Sequence, residues 1–199
     1  MKTIDVAHDF TCPWCWIGWK QVLKLEEEFG IEMNWIGYEL FPPEMPWPEP
    51  SPPAPELPAN RPKTPSRLEL AYAAQGMEKP TVQRPRYMRI HNALEAVEYA
   101  KLHGDHRGLV SALYPAYWEE GQAIGELEVL ENLAAPFVEN AQDMLAKVEA
   151  RTYNGDIIPF DDEAFARGVY NVPTFFIGGE RYSEQTYMSI AKALREHLK

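Results

Sequence analysis

The 199-residue sequence predicts an α/β fold carrying an inserted all-helical subdomain, and three stretches predict it. Residues 3–40 read as strand, helix, strand; residues 66–150 carry apolar side chains at three- and four-residue intervals with no convincing strand; residues 173–198 return to strand, turn, strand and a last helix. Period two marks strands and period 3.6 marks helices, so the switch of period along the chain separates core from insert.

The first strand spans residues 3–9, with Ile4 and Val6 on one face and Asp5 and Ala7 on the other. Asp9-Phe10-Thr11-Cys12-Pro13-Trp14-Cys15-Trp16 follows and holds the chain's only two cysteines, spaced C-x-x-C. Helical period through Trp16, Trp19, Val22, Leu23 and Leu25 places this dithiol at the N-terminus of a helix over residues 13–29, stopped by Gly30. Pro13 suits the first helical turn, because its missing N–H would lack a partner there anyway. The free N–H groups and the dipole at that end favour negative charge. The first thiol is therefore expected to ionise more easily than free cysteine, whose pKa is about 8.5. Ile31 to Leu40 is β-rich and returns parallel to the first strand, which puts the dithiol at a strand's carboxyl end, where open α/β sheets bind ligands.

Residues 42–65 are dense in proline, with Pro42-Pro43 and Pro52-Pro53, and read as a stiff surface connection into the insert. Trp47 within it is a large apolar residue that a loop folded over the dithiol would bury. The helical stripes of the insert include Leu94 and Val97, Leu109, Leu113 and Tyr117, and Val129, Leu133 and Phe137. Ser66 with Glu69 makes a capping box for its first helix. After residue 156 an acidic turn, Asp161-Asp162-Glu163, starts a short helix; Gly178-Gly179 then joins strands at 173–178 and 180–182, and a helix over 184–198 ends the chain. The expected division is 1–41 and 156–199 as core, 42–65 as connection and 66–155 as insert.

Composition narrows the function classes. A formal net charge of -11 repels polyanions and argues against nucleic-acid and anionic-membrane partners. No apolar run reaches the 18 residues of a membrane span. Two cysteines cannot close a four-ligand zinc shell, and His103-Gly104-Asp105-His106 sits in a polar stretch that reads as a turn, so no metal site is expected. Met1 to Asp9 lacks an apolar h-region, and the expected location is cytoplasmic. There a lone C-x-x-C is catalytic or redox-sensing rather than a structural staple.

Cys12-Pro13-Trp14-Cys15, Asp9, Gly168-Val169, Val172-Pro173-Thr174-Phe175 and the stretch Leu113 to Gly125 together resemble the DsbA-like branch of the thioredoxin superfamily, and within it the FrnE-like group. The resemblance covers most of the chain. It implies a thioredoxin-like core, a cis proline at Pro173 opposite the dithiol, and a helical insert acting as a lid that shapes a substrate groove.

The expected chemistry is thiol-disulfide exchange with a protein or small thiol. Cys12 is the exposed nucleophile and Cys15 the shielded resolving thiol. Pro13 and Trp14 between the cysteines, and Val172-Pro173 with its extended edge, are the expected substrate-binding residues. Asp9 and Glu39 are candidate proton relays to Cys15, set against a strand-end hydrogen bond for Asp9 and a solvated strand face for Glu39. Trp14 carries no charge, so the pair is expected to be less oxidising than a C-P-H-C site, each ~30 mV being about 1.4 kcal/mol. No tightly bound cofactor is expected; glutathione or another thiol is the candidate co-substrate, and a homodimer is a candidate assembly. Two alternatives stand beside this reading. Kappa-class glutathione transferases and 2-hydroxychromene-2-carboxylate isomerases resemble the chain in architecture, but usually carry serine in place of Cys12 and lack Cys15. A noncatalytic, chaperone-like binding module would make Cys12 dispensable.

Overall fold

A computed structural model describes residues 2–49 and 64–199; the middle of the proline-rich connection, residues 50–63, lies outside the described residues. Five strands, β1 (Thr3–His8), β2 (Glu32–Glu39), β3 (Ile158–Pro159), β4 (Thr174–Ile177) and β5 (Glu180–Ser183), form one sheet in the order β3-β2-β1-β4-β5. β2 runs parallel to both β1 and β3, with Val6 opposite Trp35 and Tyr38 opposite Ile158. β4 is antiparallel to β1 and β5. The βαβ unit, the Gly178-Gly179 hairpin and the closing helix stand where the periods predict them. β3 is an addition. It is a two-residue strand made by pairing with β2, and nothing local in residues 158–159 announces it.

Eight α-helices and one 3-10 turn (Asn154–Asp156) complete the described residues: α1 (Pro13–Phe29), α2 (Arg67–Ala74), α3 (His91–His103), α4 (His106–Trp118), α5 (Leu127–Ala134), α6 (Ala141–Glu149), α7 (Asp162–Ala166) and α8 (Tyr187–His197). Their starts have local causes. Ser66 accepts the Glu69 N–H while the Glu69 carboxylate accepts the Ser66 N–H, which closes the capping box of α2. Asp105, Asn140, Asp161 and Thr186 each accept a first-turn N–H of α4, α6, α7 and α8. Gly30 ends α1 in the left-handed region at φ 62. His103 and His106 flank the short turn between α3 and α4. His103 lies against the Tyr99 ring, and His106 Nε2 lies 3.4 Å from the Met33 carbonyl.

The strict alternation expected of β1 holds from Thr3 to Val6 and then stops, since Ala7 and His8 are also buried. Both faces of the strand are covered at that end. The core joins the sheet to α1, α3 and α4 through Val6, Phe175, Leu25, Leu94, Leu109 and Tyr114. A Cβ on Gly37 would stand 2.8 Å from the Ile157 side chain and 3.3 Å from Leu94, so glycine there allows α3 to lie close on β2. Trp47 is partly buried against Phe41 and Tyr87, with the Arg89 guanidinium 4.0 Å from its ring. No helix among the described residues is long and apolar enough to cross a membrane.

Candidate active site

Cys12 is the N-cap of α1: its N–H donates to the Asp9 carbonyl at 3.2 Å, and its own carbonyl accepts from Cys15 and Trp16 at 3.0 and 3.1 Å. This first turn holds the two thiols, both free, on the same side. The Cys12 thiol donates to the Val172 carbonyl at 3.5 Å. Cys12 is only 7% exposed, which corrects the expectation of an open nucleophile; the turn of α1 and the Val172 carbonyl leave it a narrow opening. Cys15 is fully buried, and its sulfur accepts the Asp9 N–H at 3.4 Å. Burial pushes the Cys15 thiol well above its ordinary pKa, and a hydrogen bond with Cys12 and the Cys12 charge push the same way.

Asp9 is 1% exposed. Its Oδ1 accepts the Thr11 N–H and hydroxyl, both at 2.6 Å, and Oδ2 accepts the Leu40 N–H at 2.9 Å. Burial still dominates over these three bonds and raises the carboxyl to about 6. The expected strand-end hydrogen bonds are therefore present on a carboxyl of near-neutral pKa, and it is the Asp9 N–H that touches Cys15.

Glu39 departs from both of its expected roles. It is buried rather than on a solvated face, and its Oε2 lies 2.9 Å from His91 Nδ1, not on a thiol. His91 Nε2 meets Glu95 Oε1 at 2.9 Å, and Glu95 Oε2 accepts the Tyr153 N–H at 3.1 Å. Burial alone would lower the His91 pKa; the hydrogen bond and charge of Glu39, with the Glu95 charge, outweigh it and raise the imidazole. The misreading has a simple cause: the partner of Glu39 lies 52 residues away, on α3.

The Val172–Pro173 peptide bond is cis. The Pro173 carbonyl accepts the Glu184 N–H at 3.0 Å and the Thr174 hydroxyl donates to the Asn171 carbonyl at 2.6 Å, so the loop is tied on both sides. A Cβ on Gly18 would stand 2.9 Å from Pro173 Cγ; glycine there lets the proline loop approach α1. Trp14, Pro173, Ile17, Leu70 and Arg67 are among the residues lining a cavity of about 270 Å³. The Arg67 guanidinium lies 4.5 Å from the Trp14 ring. On the other side of the dithiol, Trp16 stacks on Trp118 with ring centres 5.1 Å apart, and Trp118 Nε1 donates to the Phe10 carbonyl at 2.8 Å.

Thus Cys12, Pro13, Trp14, Cys15, Asp9, Val172 and Pro173 come together, and Glu39 joins a neighbouring network. Sequence reading missed Thr11, Arg67, His91 and Trp118. Of these, Trp118 had a signal, since it lies in the Leu113 to Gly125 stretch. Among the described residues no group of three or more His, Cys, Asp or Glu side chains could hold a metal ion.

Comparison with known proteins agrees with this architecture. The uncharacterized protein YwbO of Bacillus subtilis is 25% identical over 183 residues, 88% of this chain and 86% of its own. Three solved structures share the fold. A probable DsbA oxidoreductase from Streptomyces coelicolor has TM-score 0.70 and 21% identity over 100% of this chain and 90% of its own. A 2-hydroxychromene-2-carboxylate isomerase has TM-score 0.67 and 14% identity over 98% and 95%. The cytosolic disulfide reductase DsbM from Pseudomonas aeruginosa has TM-score 0.67 and 16% identity over 98% and 98%. The model of the DSBA-like thioredoxin domain matches residues 3–195, and the chain belongs to that family.

Proposed function

We propose that this protein exchanges disulfides with protein or small-thiol substrates through a mixed disulfide on Cys12. The observation that carries the reading is the arrangement of the two sulfurs: Cys12 at a narrow opening beside the Val172 carbonyl, and Cys15 fully buried behind it against the Asp9 N–H. A Cys12 thiolate attacks one sulfur of a substrate disulfide; that S–S bond breaks, one substrate thiolate leaves with the electron pair, and the other half remains on Cys12. Cys15 then gives its proton to the Asp9 carboxylate and its sulfur attacks Cys12, releasing the second substrate thiolate. The substrate gains two electrons and the protein closes a Cys12–Cys15 disulfide. Run in reverse, the same steps oxidise a dithiol.

An acid with pKa about 6 suits the transfer, because it is mostly ionised at neutral pH and still basic enough to take a proton. We give Glu39 a structural role with His91. Pro13, Trp14, Val172 and Pro173 supply the walls against which the substrate lies, and helices α2 to α6 form an insert over the thioredoxin-like core. We place the chain with the FrnE-like group and in the cytoplasm. Glutathione is the small thiol we favour: DsbM has also been solved with GSH, at TM-score 0.61 to this chain. The paired Cys15 favours redox cycling over the noncovalent glutathione chemistry of the isomerase-like alternative.

The test is an acid-quenched reaction of the reduced protein with glutathione disulfide, read by intact mass. Wild type closes its own disulfide, Cys15→Ser stalls as a single glutathione adduct, and Cys12→Ser stays unmodified. An adduct that forms equally on Cys12→Ser contradicts the assignment.

A further inference from the structure

We propose that Arg67 determines specificity at the dithiol by receiving a carboxylate of the incoming small thiol or disulfide, so that the site selects anionic over neutral and cationic partners. This rests on the exchange reading above and names the substrate class for it.

Among the described residues, Arg67 is the only cation lining the cavity that Trp14 and Pro173 share. Its position is fixed from two sides: the guanidinium lies 4.5 Å from the Trp14 ring, and Nη1 stands 3.0 Å from Glu184 Oε2. A second contact, 3.5 Å to the Glu184 carbonyl, uses Nη2. A guanidinium has five N–H donors in a planar fork. Those two contacts leave donors free on a side chain that is 70% exposed. Contact with the indole face restrains the guanidinium, which lowers the entropy lost when a carboxylate docks.

Location makes this charge matter. Trp14 lies between the two cysteines and Pro173 follows Val172, whose carbonyl accepts from the Cys12 thiol, so the cavity is walled by the chain neighbours of the reacting thiol, which does not itself line it. The lining mixes apolar Ile17, Leu70 and Ala71 with the uncharged Gln21, Gln75 and Gln185, and among the described residues it holds no other positive group. A chain of net charge -11 repels anionic thiols at long range, and one exposed cation at the mouth of the site is the local feature that admits them. Glu184 shares Arg67 with the ligand, so freeing Arg67 from it should strengthen the effect.

The experiment follows the tryptophan fluorescence of the reduced protein in stopped flow with three disulfides: glutathione disulfide, which carries carboxylates, neutral hydroxyethyl disulfide, and cationic cystamine. In each, the Cys12 thiolate takes half of the disulfide and one thiolate leaves. Arg67→Gln should slow glutathione disulfide about tenfold, equivalent to about 1.4 kcal/mol, and leave hydroxyethyl disulfide within about twofold. Arg67→Lys should recover part of the loss, and Glu184→Gln should speed glutathione disulfide alone. Equal slowing of all three by Arg67→Gln would mean that Arg67 only packs Trp14, and an unchanged glutathione rate would mean no contact; either overturns the proposal while leaving exchange at Cys12 intact. Wild type that reacts with none of the three overturns the exchange reading and this inference with it.

Discussion

Asp9 and Glu39 stand at the carboxyl ends of adjacent parallel strands, are 1% and 2% exposed, and keep different company. Asp9 is surrounded by neutral donors, two backbone N–H groups and one hydroxyl. Three good bonds do not compensate for the loss of water, and the carboxyl rises to about 6. Glu39 meets an imidazole, raises its pKa, and shares it with Glu95. Equal burial therefore leaves an acid of raised pKa next to the dithiol in one place and a carboxylate–imidazole network linking β2 to α3 in the other. The partner decides which.

The largest effect that sharpens this contrast is chemical. Cys12→Ser should abolish disulfide exchange, by at least a hundredfold on the usual scale for removing an attacking nucleophile, while the unfolding midpoint in urea stays within about 0.5 kcal/mol of wild type. The network should behave the opposite way. His91→Leu removes the imidazole that Glu39 and Glu95 share, leaving Glu39 with no partner there among the described residues and Glu95 with Arg151 at 3.6 Å, and should cost about 3–5 kcal/mol in urea unfolding, with exchange per folded molecule retained. A loss below about 1 kcal/mol would show that the network contributes no more than a surface ion pair.

Asp9→Asn is the next largest and its sign depends on pH. The folded-state pKa of Asp9 lies above its ordinary value of 3.8, so the folded protein holds this proton longer than the unfolded chain. Stability from this group is highest below pH ~4 and falls as pH rises to about 6, by roughly 3 kcal/mol in all. His8 works in the opposite direction: burial lowers it to about 3, so stability is lost as pH falls from 6.5. Subtracting the Asp9→Asn unfolding curve from wild type between pH 4 and 7 isolates the Asp9 slope; a flat difference contradicts the raised pKa. The same variant should slow resolution of the Cys12 adduct more than its formation. The smallest effect is at the start of α2. Ser66→Ala removes one half of the α2 capping box and should cost about 1 kcal/mol, read as faster amide exchange in residues 67–70.

What could be read from the sequence was what local chemistry determines. Pro13 and the apolar period set the start of α1, Gly30 its end, Ser66 and Glu69 the start of α2, and Gly178-Gly179 the hairpin. The dithiol and Pro173 were legible because the C-P-W-C and V-P-T-F segments resemble a family. What could not be read depends on chain segments far apart. Ile158–Pro159 becomes a strand only against β2. Glu39 is buried only because His91 and α3 arrive from the insert. The narrow opening at Cys12 is set by a carbonyl 160 residues away, and Arg67 reaches Trp14 across the whole proline-rich connection. Side-chain period indicates which face is apolar, but not which polar group will be carried beneath another element.

The most direct test of the central claim is a redox titration of Cys12 and Cys15 in glutathione buffers, followed by the fluorescence of Trp14 and Trp16 and checked by mass. Exchange at a paired dithiol predicts one reversible two-electron transition, absent in Cys12→Ser, with a Cys12–Cys15 disulfide as the oxidised species. Glutathione binding that saturates with no disulfide and no adduct at any ratio would contradict it.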